Sequence, residues 1–528
     1  MYNVSEIKEV SSTSVLVVGG SLVGLSAAMF LAQRGVPTLL LEPHLGSHRH
    51  PRAIGYTART MELFRSAGIA EQIPEAPRDF RLRRCKVESL AGEWFEASDW
   101  TPKAADAPRG VVAEECSPHT GAAIAQDRLE PILRERARAL GADLRLGSEL
   151  LRFEQDADGV TAWVREKASG REYTVRAAYL IAADGSKSSV REALGIGRSG
   201  PGHLRTMRSV LFRAPLEQYL AKGISQFEIE QANFKAFLTT YGDGRWVLMF
   251  MDDLERDEAT LRAAIERAIG RSDLPIEILT TGRWELSALI TDQFSAGRVF
   301  LAGDAAHTLP PTRGGFGANT GIHDVHNLAW KLAAVLSGSS SPKLLDTYHA
   351  ERHPVAWTRL EQTFARPDYA AFGAGFAANV ALLDDDAMEF GQLYRSAAVL
   401  GITAELPLAA RPSAWVGQPG TRAPHVRLEQ NGERRTTLDW FGRGWVLVSL
   451  DERWQSAVAS VGQQSGIPLS GIAVEADDRE AVRQAFGLGA SGASLVRPDG
   501  FVAWRAQEIP ENPQATLAEA LRAGSCAN

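Results

Sequence analysis

At 528 residues, with 45% hydrophobic and 23% charged side chains, the chain is too long for one core and is expected to fold as two or three packed units. A formal net charge of −7 gives no electrostatic footprint for nucleic acid or an anionic membrane, which leaves a small molecule as the expected partner. Three widely spaced cysteines, Cys85, Cys116 and Cys526, imply neither a disulfide framework nor a zinc site, so no metal is expected and a reducing cytoplasm suits the chain.

The first ten residues lack the apolar stretch of a secretory signal, and no apolar run approaches the roughly 20 residues that cross a membrane. Residues 14–18 form a short, β-rich apolar run that reads as a buried parallel strand. Leu22, Leu25, Ala28, Met29 and Ala32 then recur at helical spacing until Gly35, and a second strand over 37–41 ends at Glu42. Strand-like segments at 179–183 and 298–302 run into Asp184-Gly185 and Gly303-Asp304.

Residues 205–290 differ. Runs at 234–241 and 245–251 flank Gly242-Asp243-Gly244 and predict an antiparallel hairpin in an inserted sheet domain. Between 366 and 420 alanine, glycine and proline thicken without a period, which reads as irregular helix and linker. Beyond that, strand, helix, strand, helix and a hairpin about Pro498-Asp499-Gly500 give a thioredoxin-like order without a Cys-x-x-Cys. The expected fold is α/β: a Rossmann-like nucleotide-binding domain over 1–80, 111–204 and 291–375, a substrate sheet over 81–110 and 205–290, a linker over 376–410, and a thioredoxin-like domain over 411–528.

In Gly19-Gly20-Ser21-Leu22-Val23-Gly24 the first glycine permits the tight strand-to-helix turn and the last lets the helix pack closely, while helix N–H groups face a pyrophosphate. Ser21 stands where glycine is usual, and its small hydroxyl can donate a hydrogen bond. Glu42, eighteen residues after Gly24, sits where a carboxylate accepts ribose hydroxyls.

Three motifs in order, the Gly19 turn, Asp184-Gly185 and the segment from Gly297 through Asp304 to His307 and Pro310-Pro311, resemble those of the flavin aromatic hydroxylases, the family of para-hydroxybenzoate and phenol hydroxylases. The resemblance spans about residues 14–360. It is carried further by Pro51-Arg52, Arg59-Thr60-Met61-Glu62, Gln126-Asp127-Arg128-Leu129, the run from Asp324 to Leu332, Thr347-Tyr348 and Glu351-Arg352. It implies noncovalent FAD, with Asp304 on the ribityl chain and Arg52 and Gln126 along the cofactor. Gly19, Ser21, Leu22, Val23, Gly24, Glu42, Asp184, Pro311, Gly317, Ala318 and Asn319 complete the cofactor set.

Arg52, Pro311 and Gly315 are assigned to the catalytic site, and the glycine-rich turn carries an additional Arg313. The helix that this turn opens places partial positive charge where reduced flavin is anionic. His307 is read as a structural hydrogen bonder rather than a base. NADPH or NADH is the expected co-substrate, binding in a groove shared with the flavin, because no second glycine turn is visible.

With O2 the family forms a flavin C4a-hydroperoxide that hydroxylates an electron-rich ring, here a small aromatic substrate of the natural-product kind. A dry pocket is expected from Phe212, Phe227, Phe237, Tyr241, Trp246 and Phe250 on the inserted sheet. A Baeyer–Villiger or epoxidising oxygenase, and a catalytically inert FAD-binding interaction module, stay open beside this reading, as does a homo-oligomer.

Overall fold

The structure, a computed structural model, describes residues 10–78, 80, 82–99, 115–311, 316–366, 369, 372–373, 375–403, 405–430 and 433–527. Elements are numbered along the chain. The apolar end of β1 (Val10–Val18) is buried and needs neighbours on both edges. It pairs in parallel with β2 (Thr38–Glu42) and β10 (Glu172–Ala182). β7 (Asp143–Leu146) extends the sheet beyond β2, and β17 (Val299–Leu301) with β16 (Ser295–Ala296) extends it beyond β10. β8 (Ser148–Gln155) and β9 (Val160–Glu166) lengthen the start of β10 as an antiparallel pair.

α1 (Leu22–Gln33) is apolar around nearly its whole circumference, so it is buried, packed against α3 (Gln126–Ala139) and α6 (Phe316–Leu336). The approach is close enough that only glycine fits. Gly19 has φ of 105°, and a Cβ on Gly24 would strike the Gly19 carbonyl. β3 (Gly55–Tyr56) and β6 (Ala122–Ala123) form a two-residue bridge that leads into α2 (Ala58–Ser66).

The second sheet has eight strands. Their order is β18 (His307–Thr308), β15 (Glu277–Thr291), β11 (Arg198–Arg213), β14 (Arg245–Phe250), β13 (Phe234–Thr240), β12 (Gln226–Gln231), β4 (Arg83–Val87) and β5 (Trp94–Asp99). α4 (Ser189–Ala193) precedes β11, and α5 (Glu258–Ile269) covers one face of the sheet. Side chains on a strand alternate between faces. Phe212, Phe227, Trp246 and Phe250 fall on the face beneath α5, where they form one core with Leu261 and Ile265. The expectation that these aromatics line a substrate pocket is therefore corrected: they hold the sheet to its helix.

The C-terminal domain begins with α9 (Pro412–Trp415) and the hairpin of β19 (Arg427–Gln430) and β20 (Glu433–Thr436). Its sheet runs β22 (Leu469–Ala473), β21 (Trp445–Ser449), β23 (Ala493–Val496), β24 (Val502–Ala506), with only the first pair parallel. α10 (Arg453–Ser465), α11 (Arg479–Ala485) and α12 (Pro513–Gly524) pack about it, giving the thioredoxin-like order.

Residues 376–410, expected as linker and helical segment, contain α8 (Asp385–Phe390), whose Ala387, Met388 and Phe390 are buried while Asp385 and Asp386 are exposed. The turn after it is buried, and the Tyr394 ring stacks on Phe501 at 4.0 Å, so this part of the chain forms a strap between the domains.

A buried lattice of charge joins the parts. Arg497 donates to both oxygens of Glu351, on α7 (Lys343–Phe364), at 2.6 and 2.9 Å, and Lys331 donates to the same carboxylate at 2.8 Å, with all three side chains fully buried. The hairpin tip adds Asp499, which takes Arg497 at 2.5 Å. Arg59 bonds to the Asp499 carbonyl and to Glu62, and Glu62 also pairs with Arg422. Burial alone would raise the Glu351 carboxyl, but Arg497 and Lys331 hold it well below the usual carboxylate range.

Glu351→Gln would leave two buried cations without their shared anion. It should lower the unfolding free energy by about 3–5 kcal/mol, read as a fall in the thermal or urea midpoint. Arg483→Ala, which breaks the exposed Arg483–Glu480 pair, should cost less than about 1 kcal/mol. Equal shifts in the two variants would refute the role given to the lattice.

Candidate active site

Residues 50–57 cross between the two sheets, and hydrogen bonds from Tyr241 and Ser209 fix their course. Tyr241 donates its hydroxyl to the Pro51 carbonyl at 2.6 Å. Trp284 donates to the Ser209 hydroxyl at 2.5 Å, and Ser209 donates to Nε2 of His50 at 2.9 Å. Burial lowers the His50 imidazole to about 4, so the ring is neutral and accepts. Arg245, on the strand after Tyr241, forms a two-bond pair with Asp127 of α3 at 2.7 and 3.2 Å. Tyr241 therefore touches the cavity edge and also braces the loop.

Arg52 is exposed, with its guanidinium 5.7 Å from the Trp284 ring centre. Its backbone N–H and that of Ala53 donate to Gln126 Oε1 at 3.2 Å. The Gln126 amide in turn donates to the Ser21 hydroxyl at 2.9 Å, and Ser21 donates to Glu130 at 2.7 Å. Ser21 thus ties the glycine turn to α3 and to the Arg52 loop, a task a glycine could not perform. Glu42 accepts from the Gly20 N–H at 2.6 Å and from His44, which places its carboxylate directly beside the turn.

Leu22 is buried in the helix start, and Val23 fills the space beside two further glycines, where a Cβ on Gly303 or Gly321 would strike it. This packing sets the Asp304 turn against the glycine turn. Asp304 is solvent-accessible yet walled in by the cleft, and that enclosure raises its carboxyl while the charges of His307 and Arg52 oppose the shift. Asp184 caps the start of α4 through Oδ2, 3.2 Å from the Val190 N–H. Its buried Oδ1 finds no hydrogen-bond partner among the described residues.

His307 bonds through Nε2 to Asp324 at 2.6 Å rather than to Asp304. Asp324 also accepts from the Gly303 N–H at 3.3 Å and from Arg352 at 2.8 Å. Gly317, Ala318 and Asn319 lie in the first turn of α6, whose N–H groups have no partner within the helix. The Asn319 side chain is engaged inward, accepting from Thr57 N–H at 3.0 Å and from the Thr60 hydroxyl at 2.6 Å and donating to the Gly55 carbonyl at 3.2 Å. Pro311 accepts from the Tyr369 hydroxyl at 2.5 Å. Arg313 and Gly315 lie outside the described residues.

Between this framework and the open face of the second sheet is a cavity of about 1080 Å³. Arg52, Tyr56, Pro311 and Phe316 bound it on one side, and Phe237, Met249 and Met251 on the other. Of the expected aromatic wall, Phe237 and Tyr241 reach it; alternation gives the rest of that face to methionine and polar side chains. Sequence reasoning missed Asp324, Thr57, Thr60 and Glu389. The first three lie within or beside recognised motifs, while Glu389 sits in a stretch with no period to mark it. Among the described residues no cluster of His, Cys, Asp or Glu could hold a metal, and no helix is long and apolar enough to cross a membrane.

These residues fit FAD. The backbone N–H groups that open α1 offer donors to a pyrophosphate, the orphaned Asp184 oxygen and the accessible Asp304 offer acceptors to hydroxyl groups, and the α6 N-terminus offers positive potential to the flavin ring.

Comparison with known proteins agrees. A FAD-binding domain family model matches residues 12–363, and the C-terminal model of the aromatic-ring hydroxylases matches residues 416–524. The chain is 41% identical to a tetracenomycin B2 monooxygenase-dioxygenase of Streptomyces olivaceus, over 95% of this chain and 97% of that protein. It is 38% identical to a 4-methyl-5-nitrocatechol 5-monooxygenase of Burkholderia sp, over 97% of each. The crystal structure of aklavinone-11 hydroxylase with FAD and aklavinone superposes with a TM-score of 0.86 at 37% identity, covering 97% of this chain and 99% of that one.

Asp304→Ala should weaken FAD binding by about 1.5–3 kcal/mol, the range for a charged hydrogen bond, or roughly 10- to 150-fold. Flavin per protein after gel filtration, and a fluorescence titration with added FAD, check this. Full flavin at unchanged affinity would contradict the assignment.

Proposed function

This chain belongs to the FAD-dependent aromatic-ring hydroxylases and is a flavin monooxygenase, and on that premise we propose that it adds one oxygen atom of O2 to a ring carbon of a multi-ring phenolic substrate, at the expense of NADPH or NADH. The cavity carries this reading. Its volume of about 1080 Å³ exceeds the ~300–1,000 Å³ of ordinary small-molecule pockets, enough for fused rings beside a flavin. On its sheet side Met207, Met249, Met251, Phe237 and Leu286 supply apolar surface among polar side chains, and that surface is adaptable because methionine repacks easily. Relatives named for tetracenomycins and aklavinone support polycyclic substrates, and the volume favours those over a single ring.

FAD, when bound, supplies electron transfer from the nicotinamide and activation of O2. The chain's own residues do the rest. The apolar wall orients the ring and keeps water from the reacting centre. Arg52 and the α6 N-terminus place positive charge at the flavin edge of the cavity, where reduction creates negative charge. The nicotinamide reaches the flavin in the same groove.

Incubation with NADPH, isotopically labelled O2 and planar hydroxyanthraquinones should yield a product with one labelled hydroxyl on a ring carbon. A ring-expanded lactone, or NADPH oxidation with no oxygenated product from any planar phenol, would refute the proposal.

Phe237→Ala should open a wet path to the reacting centre. NADPH oxidation should persist, while the ratio of hydroxylated product to NADPH consumed falls and H2O2 rises in compensation. Unchanged coupling in a folded, FAD-replete variant would return Phe237 to a purely structural role.

A further inference from the structure

Four carboxylates of the described residues line the cavity: Glu228, Glu230, Asp385 and Glu389. Three have cationic partners, since Glu228 pairs with Arg84 at 2.6 Å, Glu230 with Lys235 at 3.8 Å and Asp385 with Arg366 at 3.3 Å. Glu389 is different. It has no ion pair among the described residues and instead accepts from the Arg59 N–H at 2.7 Å, with the Thr57 hydroxyl in reach. It also borders a second, internal chamber of about 20 Å³, room for one water, that is shared with Arg59, His323 and Tyr394. From Thr57 a line of polar groups runs inward, to the Thr60 hydroxyl at 3.3 Å and then to His323 Nε2 at 3.0 Å.

Resting on the reading of the substrate as a phenol, we propose that Glu389 is the base that binds and deprotonates the substrate's ring hydroxyl. The O–H bond breaks, its electron pair stays on the phenolate oxygen and so activates the ring toward an electrophilic oxygen, and the proton moves to the Glu389 carboxylate. The inner chamber beside Glu389 has room for one water to take up that proton. Glu389 is suited to the task because burial raises its carboxyl to about 7, with Glu62 pushing the same way against the Arg59 N–H, Thr57 and Arg359. The other charged or titratable groups around it are Asp385 and Asp386 on its own helix, Arg59 on α2, His323 and His326 on α6, and Arg422 and Asp499 from the C-terminal domain. Both histidines are held neutral, chiefly by burial.

The sign follows directly. Ionised Glu389 accepts a charge-assisted hydrogen bond from a ring hydroxyl, whereas the protonated form keeps only its weaker carbonyl acceptor. Affinity for a phenol should therefore rise with pH through about 7, while affinity for its methyl ether should not.

Binding of 2-naphthol, which stays neutral in solution from about pH 6 to about pH 8, and of 2-methoxynaphthalene to the FAD-loaded enzyme separates the cases. The wild type should bind 2-naphthol roughly tenfold more tightly at the upper pH and should show no such gain for the ether. Glu389→Gln should flatten the naphthol curve while leaving ether affinity near that of the wild type, and Glu389→Asp should restore the slope. The pH profile of hydroxylation should lose its rising limb in Glu389→Gln alone. A Gln variant that keeps the naphthol slope, or a wild type that binds both probes without one, overturns the proposal. Failure of the wild type to bind either probe overturns the aromatic-substrate reading itself.

Discussion

The site depends on a carboxylate at the centre of the molecule that has lost all contact with water. Glu351 is tolerable there only because Arg497 and Lys331 surround it, and these cations come from different domains. Removing a charge from water costs far more than one hydrogen bond returns, so such a group dictates where its partners must stand. The next residue, Arg352, binds Asp324, and Asp324 holds His307 and the Gly303 N–H. The turn that carries Asp304 thus rests, through a few bonds, on an arginine of the C-terminal domain. The thioredoxin-like unit has no Cys-x-x-Cys, and through Arg497 its contribution here is positional.

A second constraint comes from the pleat. The inserted sheet is wetted by a cavity on one face and sealed by α5 on the other, and each strand must divide its residues between the two. Trp246, Leu248 and Phe250 go to the helix while Met249 and Met251 go to the cavity. On β14 the rigid aromatic rings therefore hold the sheet to its helix, and the flexible thioethers face the cavity.

This division shows how far the sequence could be read. The strand, glycine turn, helix and Glu42 were legible because each is local: a turn that admits no Cβ leaves glycine and little else. Asp304 and Asp184 stand out through the resemblance of their segments to those of the flavin aromatic hydroxylases. The substrate wall was not legible, because the aromatic content of 205–290 draws attention while the face of each residue depends on register and bulges set by partner strands. Tyr394 and Glu389 were illegible for another reason. They lie in an aperiodic segment whose burial is decided by the domain that follows, so composition suggests linker and irregular helix where the fold makes a strap between the domains.

The separation of Glu351 and Arg497 along the chain, 146 residues, has a consequence for synthesis. At roughly 5–20 residues per second a ribosome needs on the order of 10–30 s to pass from one to the other. Throughout that interval the nascent flavin-binding half holds its acidic centre without the guanidinium that neutralises it. The pairing that joins the flavin-binding half to the C-terminal domain can therefore form only after residue 497 has been made, however early the parallel sheet collapses.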